Sequence, residues 1–261
     1  MTPPGPGTGP EAPDPLLAGA SAMVFVEDPE RPALAADQAH HLLDVLRLRP
    51  GELVVAADGA GRWVPCRVRA QNPSAAGARD EPGSVLEPDG EGRSEPPPRP
   101  PVSVAFAPAK GDRPEWAVQK LTELGVDVIV PLRTARSVVR WEGERGARAV
   151  ERLRRVATEA AAQCRRPRLP VVTGVANLGE VAALVGVPPV LAAPGGPPPE
   201  LAHAAVAVGP EGGWTPDELD LPYGRVGLGP TVLRAETAAV AAATLLCALR
   251  SGSVVAASHR R

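Results

Sequence analysis

Short apolar runs alternate with helical segments from residue 102 onward, and this alternation limits the folds open to the chain. Residues 102–107 read as a strand, residues 114–124 as a helix that Gly125 ends, and residues 126–132 as the next strand. Strand, helix and strand in that order form a βαβ unit, whose strands are parallel. Further strands are predicted at 171–172, 190–193 and 204–208, and further helices at 146–165, 178–185 and 215–221. The pattern predicts an α/β fold built on a parallel sheet.

A glycine-rich turn follows the predicted strand 204–208. Residues 209–214 read Gly-Pro-Glu-Gly-Gly-Trp, and Thr215-Pro216 then gives an N-cap and a proline for a helix start. Glycines in such a turn let backbone groups approach a ligand without a Cβ in the way. A tight strand-to-helix connection that needs positive φ angles explains the same residues equally well.

A second segment, residues 228–238, reads Leu-Gly-Pro-Thr-Val-Leu-Arg-Ala-Glu-Thr-Ala. It places apolar side chains around a Gly-Pro turn and then opens an alanine-rich helix that starts at about Glu236 and runs to Arg250. This helix carries almost no polar residues, so we expect it to be buried or to lie at a subunit interface. The loop that begins at Pro194-Gly195-Gly196 is a candidate third wall for a ligand pocket between the two segments.

The N-terminal part is organised differently. Residues 1–20 are rich in proline and glycine and are predicted to be a disordered tail, while residues 21–70 form a first, β-rich domain with strands around an Asp58-Gly59 turn. Residues 71–101 hold eight prolines and four glycines and are predicted to be a linker or extended loop. Residues 102–261 form the second domain.

Charge and cysteine content restrict the function classes. The formal net charge is −2, yet residues 110–170 contain 14 basic and 8 acidic residues. Such a basic segment suits phosphate contacts, and a solvated arginine-rich helix face gives the same count. Three widely spaced cysteines fit a reducing compartment, and no apolar stretch has the length of a membrane span. The adjacent His40 and His41 point in different directions on a helix, so we expect no metal site.

Several ordered motifs carry a family resemblance. Residues 40–48 (His-His-Leu-Leu-Asp-Val-Leu-Arg-Leu) with Gly51, residues 119–126 (Gln-Lys-Leu-Thr-Glu-Leu-Gly-Val), residues 136–139 (Arg-Ser-Val-Val) and residues 159–166 (Glu-Ala-Ala-Ala-Gln-Cys-Arg-Arg) join the two glycine segments. Together they resemble the RsmE family of SPOUT-class methyltransferases over nearly the whole chain. The resemblance implies a PUA-like RNA-binding β-barrel at 21–70 and a SPOUT domain whose C-terminal segment forms a trefoil knot. It also implies a homodimer that uses S-adenosyl-L-methionine to methylate N3 of a uridine in 16S rRNA of the small ribosomal subunit. The cysteine content and the lack of a long apolar stretch predict that the protein is cytoplasmic, with no membrane partner.

The resemblance also implies site residues. Those expected to bind the methyl donor are Gly209, Glu211, Gly212, Gly213, Leu228, Gly229, Leu233 and Thr237. Those expected to contact RNA are Lys110, Arg113, Arg136, Gln163, Arg165 and Arg166. Arg234 is expected to orient or neutralise the target base and Glu236 to hold Arg234 or its loop, with a general-base role for Glu236 as a secondary hypothesis.

Each of these assignments has a structural alternative. A carboxylate in the first turn of a helix beside an exposed arginine explains Arg234 and Glu236, and surface ion pairs explain the basic residues. At the level of function, a SPOUT enzyme acting on tRNA or on another rRNA site, and a non-catalytic RNA-binding protein, remain alternatives.

Overall fold

The computed structural model describes residues 14–70 and 85–255, which divide into two compact units. The first consists of the described part of Ala12–Pro97 together with Thr158–Leu169. The second consists of Pro98–Ala157 and the described part of Pro170–Arg261. Residues 1–13 of the predicted tail, 71–84 of the predicted linker and 256–261 of the predicted second domain lie outside the described residues.

The N-terminal unit is built on a five-stranded mixed sheet in the order β1-β2-β3-β4, with β5 also paired to β3. Its elements are α1 Pro15–Gly19, β1 Ala22–Phe25, α2 Ala36–His40, β2 Leu53–Ala57, β3 Arg62–Val68, β4 Leu86–Pro88 and β5 Arg93–Ser94. Strands β1 and β2 are parallel, whereas β3 is antiparallel both to β2 and to β4. A π-helical turn, His41–Val45, extends α2. Apolar residues of β2 and β3, among them Val54 and Trp63, are buried on both faces of the sheet.

Two parts of this unit differ from the sequence-based prediction. Strands β4 and β5 fall within the predicted linker 71–101, and both pair with β3. Helix α1 falls within the predicted disordered tail, where Asp14 caps it and Leu17 is 3% exposed. The proline and glycine content of both segments concealed these short elements, which backbone pairing and one buried leucine stabilise.

The C-terminal unit contains a parallel sheet, as predicted. Its elements are β6 Ser103–Phe106, α3 Arg113–Leu124, β7 Val128–Arg133, α4 Gly143–Gln163, β8 Val171–Val172, β9 Ala176–Asn177, α5 Val181–Val185, β10 Val190–Ala192, β11 Ala205–Val208, α6 Pro216–Leu219, β12 Arg225–Val226 and α7 Ala235–Arg250. The part of α4 from Thr158 onward is assigned to the N-terminal unit. The strand order is β12-β10-β11-β6-β7-β8, with β9 beside β7. Every pair in this sheet is parallel.

Alternating strand residues face two different helix layers. Val104 and Phe106 of β6 pack in one core cluster with residues of α3, α4 and α7, whereas Ala105 between them packs in another with Val181 of α5 and Trp214. Gly125 ends α3 as predicted, with φ 95° and its N–H donated to the carbonyls of Leu121 and Thr122. The sheet therefore separates two helix layers and leaves its carboxyl-end loops available for a site. Across residues 14–70 and 85–255, no helix combines the length and apolar character that a bilayer crossing needs.

Candidate functional site

A cavity of about 400 Å³ lies where the loops after β10 and β11 meet the segment that precedes α7. Six of the eight residues expected to bind the donor line it: Gly209, Glu211, Gly213, Leu228, Gly229 and Leu233. Gly212 and Thr237 are not among the lining residues, and Thr237 is exposed on α7. Two segments of sequence that are separated by a strand and a helix thus meet around one space. Its volume falls within the roughly 300–1,000 Å³ typical of small-molecule sites.

Glycine is required at several points of this wall. A Cβ on Gly209 would lie 3.0 Å from the indole ring of Trp214. Gly213 and Gly229 have φ angles of 70° and 145°, in the region that side chains disfavour. At these three positions the wall has no side chain, so main-chain atoms are accessible there.

Trp214 joins two of the loops, and sequence reasoning did not assign it to the site. Its Nε1 donates a hydrogen bond of 3.0 Å to the carbonyl of Ala192, at the end of β10, while its indole packs on Gly209. An aromatic residue that directly follows a glycine turn was the available signal. Sequence reasoning also missed other lining residues, namely Ala192, Ala193, Val208, Pro210, Leu219, Arg225, Thr231, Val232, Ala235 and Ala238. Pro194, from the predicted third wall, lines the cavity, whereas Gly196 instead meets the backbone of Val226 and Gly227.

The segment after β7 holds the glycine turn from outside. Arg136, expected to contact RNA, donates through Nη1 to the carbonyls of Gly212 at 2.9 Å and Trp214 at 3.1 Å. The neighbouring Ala135 N–H donates to the Glu218 carboxylate at 2.9 Å. In this structure Arg136 therefore acts as a brace for the turn.

Arg113 lies between two carboxylates of the same region. Its Nη1 donates to Glu211 Oε1 at 2.9 Å, and its Nε lies 3.8 Å from Glu236 Oε1. Glu236 Oε2 is buried without a hydrogen-bond partner among the described residues. The expected contact between Glu236 and Arg234 does not form. Arg234 is exposed at the N-cap of α7. Its carbonyl accepts from the N–H of Ala238 at 2.8 Å, and no described residue forms a hydrogen bond or ion pair with its side chain.

Lys110 and Arg113 border a second, smaller cavity of about 210 Å³. Lys110 is exposed and has no ionic partner in the part of the chain that the structure describes. Three residues, Pro210, Glu211 and Ala235, line both cavities. The two spaces are therefore neighbours across a shared wall.

The remaining residues expected to contact RNA belong to the N-terminal unit. Gln163 is exposed at the end of α4. The Arg165 guanidinium donates to four backbone carbonyls, those of Ala20, Ser21, Ala162 and Gln163. Desolvation lowers the pKa of Arg165, and its own φ is 61°. Arg165 thus ties the end of α4 to the segment before β1, while Arg166 is half-buried and contributes to the electrostatic field at Glu95.

Within the described ranges, no group of three histidine, cysteine, aspartate or glutamate side chains is placed to hold a metal ion. The His40 ring instead pairs with Asp44 at 2.7 Å on the exposed surface of the π-helical turn. The chemistry available at the cavities is therefore that of backbone groups, arginine, lysine and glutamate.

Comparison with known proteins gives consistent matches along the chain. A family described as "RNA methyltransferase domain" matches residues 95–247, and one described as "RNA methyltransferase PUA domain" matches residues 34–76. The "Ribosomal RNA small subunit methyltransferase E" of Mycobacterium tuberculosis (strain CDC 1551 / Oshkosh) is 37% identical over 249 residues, covering 85% of this chain and 89% of that protein. The Bacillus subtilis (strain 168) protein of the same name is 27% identical, with 82% and 88% covered.

Solved structures agree at the level of the fold. The crystal structure of "a Ribosomal RNA small subunit methyltransferase E from Neisseria gonorrhoeae bound to S-adenosyl methionine" superposes with a TM-score of 0.68 at 23% identity. The match covers 87% of this chain and 97% of that one. The SPOUT-type α/β architecture with a PUA-like N-terminal domain is thereby confirmed.

Proposed function

Because the chain belongs to the ribosomal RNA small subunit methyltransferase E family, we propose that it methylates N3 of a uridine in 16S rRNA, with S-adenosyl-L-methionine as the methyl donor. One observation carries this proposal: two glycine-containing segments line a single cavity at the carboxyl ends of parallel strands. This is the edge at which open α/β sheets bind ligands.

The residues present fit such a donor. The indole of Trp214 and apolar residues such as Leu228 and Leu233 offer surfaces for an adenine ring. Glycine positions leave carbonyl and N–H groups accessible for the polar edges of the adenosine and methionine parts. We assign donor binding to the predicted residues that line this cavity, and to Gly212 through its place in the same turn. Thr237 is the weakest of the predicted contacts, since it is exposed outside the lining.

When bound, S-adenosyl-L-methionine supplies a methyl carbon on a sulfonium sulfur, and the bonding electrons stay with the sulfur as the methyl leaves. The protein must place N3 of the uridine in line with that carbon and exclude competing water. Uridine N3 must also lose its proton, which passes to solvent water, so negative charge develops on the uracil ring before the nitrogen bonds the methyl carbon. Arg234 is exposed and lies between Leu233 and Ala235, which line the donor cavity, so it is one candidate to stabilise that charge.

Glu236 was expected to hold Arg234, but the cation beside it is a different arginine. Glu236 is next to Arg113 and not Arg234. We therefore propose that Glu236 positions Arg113, and that Arg113 in turn fixes Glu211 in the glycine turn.

We further propose that the protein acts in the cytoplasm as a homodimer on rRNA within the small ribosomal subunit. One side of α7 supports the dimer, because Thr237, Ala241, Thr244, Leu245 and Ala248 form a stripe of small or apolar residues that the rest of the described chain leaves at least partly accessible. The trefoil knot of the C-terminal segment stays a prediction.

The test is to incubate the protein with radiolabelled S-adenosyl-L-methionine and small ribosomal subunits that lack the modification. The RNA is then digested and its labelled nucleosides are identified. We expect labelled 3-methyluridine. Donor binding without transfer to these subunits would redirect the search to tRNA and other rRNA sites, and absence of donor binding would favour a non-catalytic RNA-binding protein.

A further inference from the structure

The cavity of about 210 Å³ beside the donor cavity has a composition unlike that of its neighbour. Its lining brings together two cations, Lys110 and Arg113, with an apolar surface formed by Pro108, Ala109 and Val138. It lies below the size range of roughly 300–1,000 Å³ that holds whole small-molecule ligands. A single planar base suits this volume better than a nucleotide cofactor does.

Val138 makes the apolar surface of this cavity accessible. It is 63% exposed, although the structure buries most other valines of this unit. An exposed apolar side chain alone means little. Here it lines the same cavity as two hydrogen-bond donors, Lys110 and Arg113, and a nucleobase has surfaces that match both, an apolar face and polar edges.

The two cations differ in how firmly they are held. Arg113 is fixed by Glu211 through Nη1 and faces Glu236 through Nε, and its Nη2 has no hydrogen-bond partner among the described residues. Lys110 is exposed without a partner in the same described set. The lining of the cavity therefore combines one guanidinium held by carboxylates with one ammonium that has no ionic partner among the described residues, and both are hydrogen-bond donors.

We propose that this smaller cavity is the binding site for the target uracil, flipped out of the RNA, with Arg113 and Lys110 donating to the carbonyl oxygens O2 and O4 that flank N3. This rests on the proposed uridine methylation and adds the acceptor site and its specificity. Both oxygens gain negative charge when N3 loses its proton, so the same donors favour the reactive form. Cytosine would present an amino donor in place of O4 and would leave a cation without an acceptor, which disfavours it.

The shared wall gives the site its relation to the donor. Pro210, Glu211 and Ala235 line both cavities, so a base in the smaller one is adjacent to a donor in the larger, as methyl transfer requires. Enzymes that modify bases commonly place a flipped base in such a pocket. Arg113 couples the two cavities, because the carboxylate that holds it also lines the donor cavity.

The experiment compares wild type with Lys110→Ala, Val138→Asp and Arg113→Lys in the methylation assay on unmodified small subunits. Lys110 and Val138 are exposed, so their variants are expected to fold. We expect kcat/KM for the subunits to fall roughly 10- to 100-fold in each, while the Kd for S-adenosyl-L-methionine, measured by calorimetry, stays within about twofold for Lys110→Ala and Val138→Asp. Arg152→Ala is the matched control, because Arg152 is also paired with a carboxylate, Glu115, and lines neither cavity.

A second readout separates base contact from phosphate contact. The loss in Lys110→Ala should be the same at low and high salt, whereas loss of a phosphate contact would reduce the salt slope by about 1. A reduced slope, or wild-type rates in both Lys110→Ala and Val138→Asp, would overturn the uracil site. A wild-type protein that fails to methylate any uridine would instead overturn the proposed function itself.

Discussion

The proposed role of Arg234 in stabilising charge on the uracil ring can be tested by removing that one side chain. It is exposed at the N-cap of α7, and its guanidinium forms no hydrogen bond or ion pair with a described residue, so its removal should leave the fold intact. If it stabilises charge on the uracil ring, Arg234→Ala should lower kcat roughly 10²- to 10³-fold, as loss of one such donor does in other enzymes. The measurement is methyl transfer to unmodified subunits, with donor affinity followed separately. The control is Arg155→Ala, because Arg155 is an exposed arginine on a different helix, α4; this variant should keep wild-type kcat. Equal activity of the two variants would remove Arg234 from the mechanism.

Glu95 gives a prediction on pH. Burial raises the pKa of the Glu95 carboxyl above its ordinary 4.5, more than Arg168 and Arg166 lower it. The unfolded chain therefore loses this proton first as pH rises, so the contribution of Glu95 to stability declines from about pH 4.5 up to the raised folded pKa and then stays constant. Glu95→Gln keeps the shape of the side chain and its backbone carbonyl, which accepts from Arg168 at 2.7 Å.

The stability of wild type relative to Glu95→Gln should therefore fall with pH across that window. The measurement is hydrogen exchange of the amides in β3, which reports on the N-terminal unit alone. Strand β3 is suitable because it pairs with β5, whose last residue directly precedes Glu95. A difference between the two proteins that did not change between about pH 4 and about pH 7 would contradict the raised pKa.

At the scale of elements, α6 connects helix capping to the donor cavity. One oxygen of the Glu218 carboxylate accepts a hydrogen bond of 2.8 Å from the N–H of Thr215. The Thr215 side chain accepts in turn from the N–H of Glu218, which completes a capping box. The other carboxylate oxygen accepts from Ala135 at 2.9 Å, on the segment where Arg136 holds the glycine turn. Glu218→Ala should therefore cost about 1 kcal/mol of stability and raise the donor Kd roughly 3- to 10-fold.

The chain contains a matched control for this element. Glu180 forms a capping box with Asn177 before α5, and it does not line the donor cavity. Glu180→Ala should cost a similar stability in urea unfolding but leave donor binding unchanged by calorimetry. Equal donor affinity in Glu218→Ala and Glu180→Ala would show that the capping box of α6 does not support the cavity.

Local pattern predicted the elements of the C-terminal unit well, because strand and helix periods are properties of neighbouring residues. Gly125 at the end of α3 and the Thr215-Pro216 start of α6 are examples that the structure reproduces. Long-range partners were not predictable, since side chains such as Arg113 and Arg136 select carboxylates and carbonyls that lie far along the chain. The hydrogen bonds of Arg165 to backbone carbonyls were missed for the same reason. The sequence around a basic residue at a helix end is the same whether its side chain contacts RNA or, as here, the carbonyl of Ala20.

Packing within the C-terminal unit also decides which surface is left for a second copy of the chain. One side of α7 is buried against the sheet and α3, through residues such as Ala239, Ala242 and Leu246. Arg250, the last residue of α7, forms an ion pair with Asp127 and donates a hydrogen bond of 2.7 Å to the carbonyl of Gly125. The helix is thus fixed in place, and its accessible stripe around Leu245 is a rigid surface suited to self-association.

The proposed dimer predicts a mass in solution of twice the 26.9 kDa chain, measured by light scattering after size exclusion. Leu245→Arg should give the mass of one chain, because two guanidinium groups would meet across a two-fold interface without a counter-charge. Leu184→Arg is the control, since Leu184 is a similarly exposed leucine on α5, outside that stripe. Methyl transfer should fall with the dimer, because Ala235 and Ala238 at the start of the same helix line the donor cavity. A wild-type mass of one chain, or an unchanged dimer in Leu245→Arg, would place the contact elsewhere or remove it.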